Sequence, residues 1–256
     1  MFPVSFKKSG TGYPIILIHG FCESQEIWDE FAKELSKGFT VYAIDLPGFG
    51  KSPMINAPFS ISDIAEVIWN WISSENIQKP ILVGHSLGGY VTLAMCANHP
   101  KDFRAFSLFH STAFADSDER KKNRDRVVEF VKAYGKDTFI DTYVPGLFFD
   151  KAHKAIPVVD AIARKTPLET LVNYSIAMRD RPSSLQVIKD FNSPILILGG
   201  ENDGLIHKEP LIEMGNLSDL VEVKIIKGAA HMGMFENPEA CLKAIRDFAD
   251  SILNHA

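Results

Sequence analysis

A serine placed between glycines, directly behind a short apolar run, constrains this chain more than any other segment. The apolar run covers residues 81–83, and Gly84-His85-Ser86-Leu87-Gly88-Gly89 follows it. This order predicts a strand, a sharp turn and a helix, with the serine at the apex as a candidate nucleophile. Gly84 and Gly88 suit such a strained turn, because a Cβ at either position would crowd the crossing of strand and helix.

The rest of the chain alternates short apolar runs with longer stretches of helical period. This alternation predicts an α/β fold with a mostly parallel central sheet and helices on both faces. The runs are nearly continuously apolar, as expected for strands that are buried on both faces. The candidate strands are Ile15–His19, Thr40–Ile44, Ile81–Val83, Ala105–Phe109, Ile195–Leu198 and Val221–Ile226.

Two helices carry capping signals at their first turns. Ser60 and Asp63 have the spacing of a capping box, and an apolar stripe of helical period follows them at 61–72. Asn237 is a capping residue followed by Pro238, which predicts the start of the last helix.

Residues 111–192 break the alternation, because they contain several helical patterns and no convincing strand. The helical patterns lie at roughly Asp118–Tyr134, Asp150–Lys165 and Leu168–Arg179. Helices inserted between two strands predict a cap over the carboxyl edge of the sheet, where open α/β sheets bind ligands. We therefore expect a single domain, with a core at 1–110 and 193–256 and an embedded all-helical cap at 111–192.

Charge and hydropathy exclude several classes of protein. The chain has 256 residues and a net charge of −5, so no positive field favours a nucleic acid partner. The densest basic stretch, residues 120–126, includes an acid and has helical character, which favours a solvated helix face. No apolar run reaches the ~18 residues of a membrane span, and the N-terminus lacks the layout of a signal peptide. A cytoplasmic location is the expectation, and the oligomeric state leaves no trace in the sequence.

The three cysteines argue against a disulfide framework and against a zinc site. Cys22, Cys96 and Cys241 are odd in number and show no C-x-x-C spacing. The histidines outside the motifs, His99, His153, His207 and His255, show no spacing typical of metal ligands. We therefore expect chemistry that uses neither a metal nor an organic cofactor.

Ser86 needs a base, because a free serine hydroxyl is a poor nucleophile at neutral pH. His231 follows the last candidate strand, and Asp203 follows the strand at 195–198. Loops that follow parallel strands reach the edge that carries the serine, so these side chains are candidates for a catalytic triad. Their order along the chain, serine, acid and then histidine, is that of enzymes with a nucleophile elbow. Glu201 is the reserve acid, and a plain turn residue is the alternative for Asp203.

The segment His19-Gly20-Phe21-Cys22 follows the first candidate strand. Acyl transfer needs two backbone N–H donors aimed at the oxyanion of the tetrahedral intermediate. We expect one donor from Leu87, the residue after the serine, and the other from Phe21. His19 is expected to hold this loop by hydrogen bonding, and a packing role is favoured for His85.

Five motifs together resemble the α/β-hydrolase superfamily, in the branch of cap-bearing esterases, lactonases and carbon–carbon bond hydrolases. They are H-G-F at 19–21, D-L-P-G-F-G-K-S at 45–52, G-H-S-L-G-G at 84–89, G-G-E-N-D at 199–203, and His231 followed by F-E-N-P at 235–238. The serine at the elbow argues against haloalkane dehalogenases and epoxide hydrolases, which resemble this chain but carry aspartate there. Met232 stands where hydrolases of vinylogous diketones commonly have tryptophan, which weighs against that activity.

The resemblance implies a serine hydrolase that acts on a small or medium carboxylic ester through an acyl-enzyme, with a small-molecule acyl substrate as partner. The alternatives are lactone, thioester or carbon–carbon bond hydrolysis, or perhydrolysis, on the same triad. An alternative of another class is a ligand-binding or signalling protein that retains the fold. An arginine of the cap facing the pocket would favour an anionic substrate, and an all-apolar cap would favour a simple ester.

A mostly apolar pocket beneath the cap is expected to bind the substrate. Its candidate lining residues are Cys22, His110, Phe114, Tyr143, Phe148 and Met178. An inert buried thiol and a satisfied core histidine are the alternatives for Cys22 and His110. Arg179 and Arg181, near the end of the cap, could reach a substrate carboxylate or simply lie at a solvated helix end.

Overall fold

The computed structural model describes residues 2–254, and its centre is one seven-stranded sheet in the order β1-β3-β2-β4-β5-β6-β7. The strands are β1 (Phe6–Ser9), β2 (Tyr13–Ile18), β3 (Phe39–Ile44), β4 (Ile81–His85), β5 (Ala105–Phe109), β6 (Ile195–Gly200) and β7 (Val221–Ile226). β1 pairs antiparallel with β3, and the other neighbours pair in parallel. The predicted mostly parallel sheet is confirmed, with β1 as an additional edge strand.

Helices cover both faces of this sheet. Every residue of β4, β5 and β6 is therefore buried. The helices are α1 (Asp29–Leu35), α2 (Ile61–Ser74), α3 (Leu87–Asn98), α4 (Asp118–Tyr134), α5 (Lys136–Gly146), α6 (Ile156–Arg164), α7 (Leu168–Asp180), α8 (Leu185–Asp190), α9 (Lys208–Gly215), α10 (Gly233–Glu236) and α11 (Pro238–Asn254). Helix α1 packs on α11, whereas α2 and α8 pack on α3. None of these helices, within residues 2–254, has the length and apolar character that crossing a bilayer requires.

The capping box at the start of α2 is confirmed. The Ser60 hydroxyl accepts a hydrogen bond from the Asp63 N–H at 3.2 Å, and the Asp63 carboxylate accepts one from the Ser60 N–H at 2.7 Å. The buried face of the helix carries the predicted stripe, including Ile64 and Ile68. Helix α11 begins at Pro238, as predicted.

Five helices, α4 to α8, separate β5 from β6, where the sequence predicted helices and no strand. Helix α5 was not predicted; it is rich in β-branched and aromatic residues and contains Pro145, so its helix propensity is low. Helix α6 begins at Ile156 rather than at Asp150, and Pro157 in its first turn marks that start. We call residues 111–192 the helical insert.

The helical insert lies over the carboxyl ends of the parallel strands. Tyr174 of α7 donates a hydrogen bond to the carbonyl of Pro47, in the loop after β3, at 2.9 Å. The N–H of His231, in the loop after β7, donates to the carbonyl of Leu147 at 3.0 Å. Contacts to two different strand ends place the insert above the edge where the chemistry-bearing loops emerge.

Candidate active site

The serine lies at a strained turn between β4 and α3. Ser86 has φ 50° and ψ −113°, a left-handed φ that a residue with a side chain adopts only when its surroundings impose it. Its N–H donates to the carbonyl of Phe109 at 3.0 Å, and the Ser111 hydroxyl donates to its carbonyl at 2.7 Å. A Cβ on Gly84 would collide with the backbone of Gly88. The sharp crossing therefore needs glycine, and it holds the serine at the end of the strand.

His231 and Asp203 form a hydrogen-bonded pair beside this turn. The ring donates from Nδ1 to Asp203 Oδ2 at 2.8 Å. The other carboxylate oxygen accepts the N–H groups of Leu205 at 2.9 Å and Ile206 at 3.0 Å. These contacts fix both the carboxylate and the tautomer of the ring. His231 Nε2 is buried without a partner among residues 2–254, and both His231 and Ser86 line one cavity.

Burial and the attraction between Asp203 and His231 shift the pKa of each residue in opposite directions. Burial raises the pKa of Asp203, but the charge of His231, its hydrogen bond and the nearby ring of His110 outweigh it, so the pKa lies well below its usual range. Burial lowers the pKa of His231, and the Asp203 carboxylate more than offsets it, so that pKa lies above its ordinary value. The carboxylate is thus ionised and favours the imidazolium form of its partner.

The loop after β2 carries Phe21 to the same cavity. Leu87 is the first residue of α3, where backbone N–H groups have no partner within the helix. The loop after β2 is held from outside: His19 Nε2 accepts the N–H of Leu46 at 3.0 Å, and Tyr143 of the insert donates to the carbonyl of Phe21 at 3.4 Å. Phe21 and Leu87 therefore remain the candidate oxyanion donors.

A buried carboxylate that the sequence analysis did not single out ties the three loops of the site together. Glu23 Oε2 accepts the Gly20 N–H at 2.5 Å and faces His85 Nδ1 at 2.9 Å. The opposite nitrogen of the His85 ring donates to the carbonyl of His231 at 3.0 Å. The loop of Phe21, the elbow and the loop of the candidate base are thus joined by two side chains. Their separation in sequence is large, so no local motif could have indicated this link.

The cavity beside Ser86 has a volume of about 230 Å³. Core residues Phe21, Tyr90 and Ile206 line it with Ser86 and His231. Of the predicted substrate-binding residues, Tyr143 and Met178 line this cavity. The other four, Cys22, His110, Phe114 and Phe148, do not line this cavity.

Cys22 and His110 are core residues rather than cavity residues. Cys22 is buried beneath its loop, and burial raises the pKa of its thiol well above the ordinary value, so it is a poor nucleophile. His110 is fully buried, with Nδ1 3.4 Å from Asp203 Oδ2. Burial lowers the pKa of His110 to about 4, which keeps the ring neutral beside the carboxylate.

The two remaining phenylalanines also lie outside the cavity. Phe148 is fully buried and stacks on His153, with ring centroids 5.2 Å apart. Phe114 borders a separate cavity near Ser117 and Pro210. Both side chains help to seat the insert on the core, a role that their apolar character alone could not distinguish from substrate binding.

The arginines of the insert are arranged differently from the sequence expectation. Arg179 pairs with Asp125 at 2.6 Å and Asp180 at 2.7 Å on the surface. Arg181 is buried and lies 3.7 Å above the ring of Tyr90. Residues Arg120, Asn123 and Arg124 of α4 line the cavity instead. The basic stretch at 120–126 is therefore not only a solvated helix face, and its sequence gave no sign of which side met the cavity.

The chain belongs to the Alpha/beta hydrolase family, whose model matches residues 15–244. The predicted fold class and the predicted assignment to this hydrolase superfamily are confirmed. The protein is thus an enzyme of the α/β-hydrolase class.

Three individual proteins illustrate what the chain is similar to. The 2-(acetamidomethylene)succinate hydrolase of Mesorhizobium japonicum is 25% identical over 257 residues, covering 97% of this chain and 92% of the relative. A malate-bound thermophilic esterase from Thermogutta terrifontis is 28% identical, with a TM-score of 0.92 over 97% of this chain and 93% of the esterase. The enol-lactonase from Burkholderia xenovorans, at 20% identity and a TM-score of 0.87 over 96% of both chains, shares the fold.

Proposed function

We propose that the protein is a serine hydrolase that cleaves a small or medium carboxylic ester through an acyl-enzyme. The observation that carries the proposal is the shared cavity of Ser86 and His231, with Asp203 hydrogen-bonded behind the ring. Because His231 Nε2 has no partner within the described residues, it is free to accept the serine proton. The similarity to a thermophilic esterase across nearly the whole chain supports the same activity.

In the proposed mechanism, Ser86 Oγ attacks the carbonyl carbon while its proton moves to His231 Nε2. The carbonyl oxygen becomes an oxyanion and accepts hydrogen bonds from the N–H groups of Phe21 and Leu87. The imidazolium then gives its proton to the leaving alkoxide, and the alcohol departs. Water attacks the acyl-enzyme while one of its protons moves to the His231 ring, and the ring then returns that proton to Ser86 Oγ as the bond to the acyl group breaks and the carboxylic acid departs. No step uses a metal or an organic cofactor.

In the same proposal, the helical insert acts as a cap on a core formed by residues 1–110 and 193–256. Its hydrogen bonds to Phe21 and to the loop of His231 connect it to both sides of the reaction centre. A small cavity of this kind favours short acyl groups.

The test is the hydrolysis of 4-nitrophenyl esters from acetyl to lauroyl by the wild type and by Ser86→Ala. We expect the turnover number to be largest for short chains and to fall in the variant by on the order of 10⁶, the loss seen where a triad acts as a unit. Ser251→Ala, on the outer end of α11, is the matched control and should retain turnover. Slow turnover shared by the wild type and Ser86→Ala would overturn the proposal.

A second candidate is hydrolysis of an acyl compound other than an ester by the same residues. The relative from Mesorhizobium japonicum, whose name specifies 2-(acetamidomethylene)succinate, favours this candidate. Labelling of Ser86 by a fluorophosphonate without ester turnover would favour it over esterase activity. Absence of labelling would instead favour a binding or signalling role.

A further inference from the structure

We infer that Arg124 of α4 binds a carboxylate of the substrate, so that the preferred ester is an anionic one. This inference rests on the proposed ester hydrolysis, since it concerns the same cavity. The substrate class is an ester with a carboxylate on its acyl or alcohol part, away from the carbonyl that Ser86 attacks.

A buried carboxylate holds the guanidinium of Arg124 by one edge. Arg124 Nε lies 2.5 Å from Asp116 Oδ2, and the Asp116 side chain has no exposure to solvent. The second oxygen, Oδ1, lies 2.9 Å from Nη1 of Arg181. Arg181 is anchored in turn by the carbonyls of Met178 and Phe114, at 2.7 and 3.0 Å. Asp116 is therefore clamped between two arginines, and the plane of Arg124 is oriented before any ligand arrives.

The other edge of this guanidinium is available to a ligand. Within residues 2–254, neither Nη atom of Arg124 donates a hydrogen bond, and the side chain is 23% exposed. The residue lines the cavity that contains Ser86 and His231. The two unused Nη atoms of this fixed planar fork carry N–H donors, and a parallel pair of these can bind both oxygens of a carboxylate.

The charges around the cavity favour an anion. Two guanidinium groups, Arg124 and Arg181, share the one carboxylate of Asp116, so the cluster keeps a net positive charge. Arg120 also lines the cavity, whereas no aspartate or glutamate of residues 2–254 does so. An uncompensated charge beside apolar walls is unfavourable unless a partner neutralises it. A substrate carboxylate supplies that partner, and a neutral ester does not.

Helix α4 also supplies the matched control. Arg126 lies two residues further along the same helix, is exposed, and donates to the side chain of Asn123 at 2.8 Å. It does not line the cavity of Ser86. Replacing Arg126 removes the same charge from the same helix without altering the proposed binding edge, so it separates local recognition from a general field effect.

The experiment compares kcat/KM for two pairs of substrates that differ in a carboxylate. In the first pair, mono-4-nitrophenyl adipate carries a carboxylate on its acyl side and 4-nitrophenyl hexanoate lacks it. In the second pair, 3-carboxyphenyl acetate carries a carboxylate on its alcohol side and phenyl acetate lacks it. In one pair at least, we expect the wild type to prefer the anionic member. Arg124→Gln should lower that preference about 10- to 100-fold, the effect of a lost charge-assisted hydrogen bond, whereas Arg126→Gln should leave it unchanged.

Binding of adipate by calorimetry tests the same inference without turnover. We expect the wild type to bind adipate more tightly than hexanoate, and Arg124→Gln to lose that difference. Arg124→Lys, which keeps a charge beside Asp116, controls for an unfolded variant and should retain only part of the preference. Equal preference in wild type and Arg124→Gln, with turnover still dependent on Ser86, would overturn this inference alone. Unchanged ester turnover in Ser86→Ala would overturn the proposed function instead.

Discussion

Replacing Glu23 by alanine should both destabilise the fold and slow turnover. The change leaves two buried donors without an acceptor, the N–H of Gly20 and Nδ1 of His85, which now lie 2.5 and 2.9 Å from Glu23 Oε2. Each unsatisfied donor costs about 1–3 kcal/mol in measured cases. We therefore expect the free energy of unfolding to fall by about 2–6 kcal/mol for the two donors together. Movement of the loop of Phe21 should also lower kcat, since small misplacements of catalytic groups reduce rates about 10²-fold.

Urea unfolding of three variants measures this effect. Glu23→Gln keeps an oxygen for both donors and loses only the charge, so we expect a smaller destabilisation, about 1–2 kcal/mol. Glu26→Ala is the control in the same loop region, because its partner Lys165 lies 2.8 Å away on the surface, where such pairs contribute about 0–1 kcal/mol. A destabilisation by Glu23→Ala no larger than that of Glu26→Ala would refute the reasoning.

The contribution of Glu23 should also depend on pH. Burial raises the pKa of its carboxyl, but His85 and the Gly20 N–H more than offset it, so the pKa lies below the ordinary value of 4.5. A lowered pKa means that the stabilisation is complete above the unfolded value and is lost as pH falls through the folded value. The difference in stability between wild type and Glu23→Gln should therefore shrink below about pH 4.5.

Two further predictions concern the cavity and its base. Because the pKa of His231 is raised above 6.5, and only the neutral ring accepts a proton, kcat/KM should fall on the acid side with a midpoint above pH 6.5. A pH–rate profile checks this, and Asp203→Asn should lower kcat about 10⁴-fold; a midpoint below 6.5 would contradict it. Among residues 2–254, Tyr90 alone lines both the cavity of Ser86 and a second cavity of about 580 Å³. Tyr90→Ala should join the two and shift the preferred nitrophenyl ester towards longer acyl chains, whereas an unchanged chain-length profile would show that the wall lies elsewhere.

The strands and the loops that follow them were predictable because topology constrains them. Parallel strands end at one edge of the sheet, so a serine after β4, an acid after β6 and a histidine after β7 must emerge near one another. The hydrogen bond between Asp203 and His231 follows from that rule. The edge strand β1 escaped prediction because it has only four residues, of which Lys7 and Lys8 are exposed. Such a strand lacks the apolar run by which the others were found.

Residues that act through tertiary contacts left no comparable pattern. Glu23 and His85 lie 62 residues apart, and neither position has a local motif that marks it as half of a buried pair. Apolar character was no better a guide within the insert. Tyr143 and Met178 line the cavity, while Phe148 packs on the core. Apolar residues both line cavities and pack in the core, so apolar character alone could not distinguish the two roles.

The basic stretch of α4 shows why substrate selectivity is the hardest property to predict for a fold of this kind. Successive residues of an α-helix are about 100° apart around its axis, so Arg124 and Arg126 point in directions about 200° apart. One therefore meets the cavity and the other meets solvent, although both belong to one run of charges in the sequence. Periodicity indicates that a helix has two faces, but not what each face contacts. The candidate triad takes its position from the sheet, whereas the position of Arg124 depends on how the insert is seated above it.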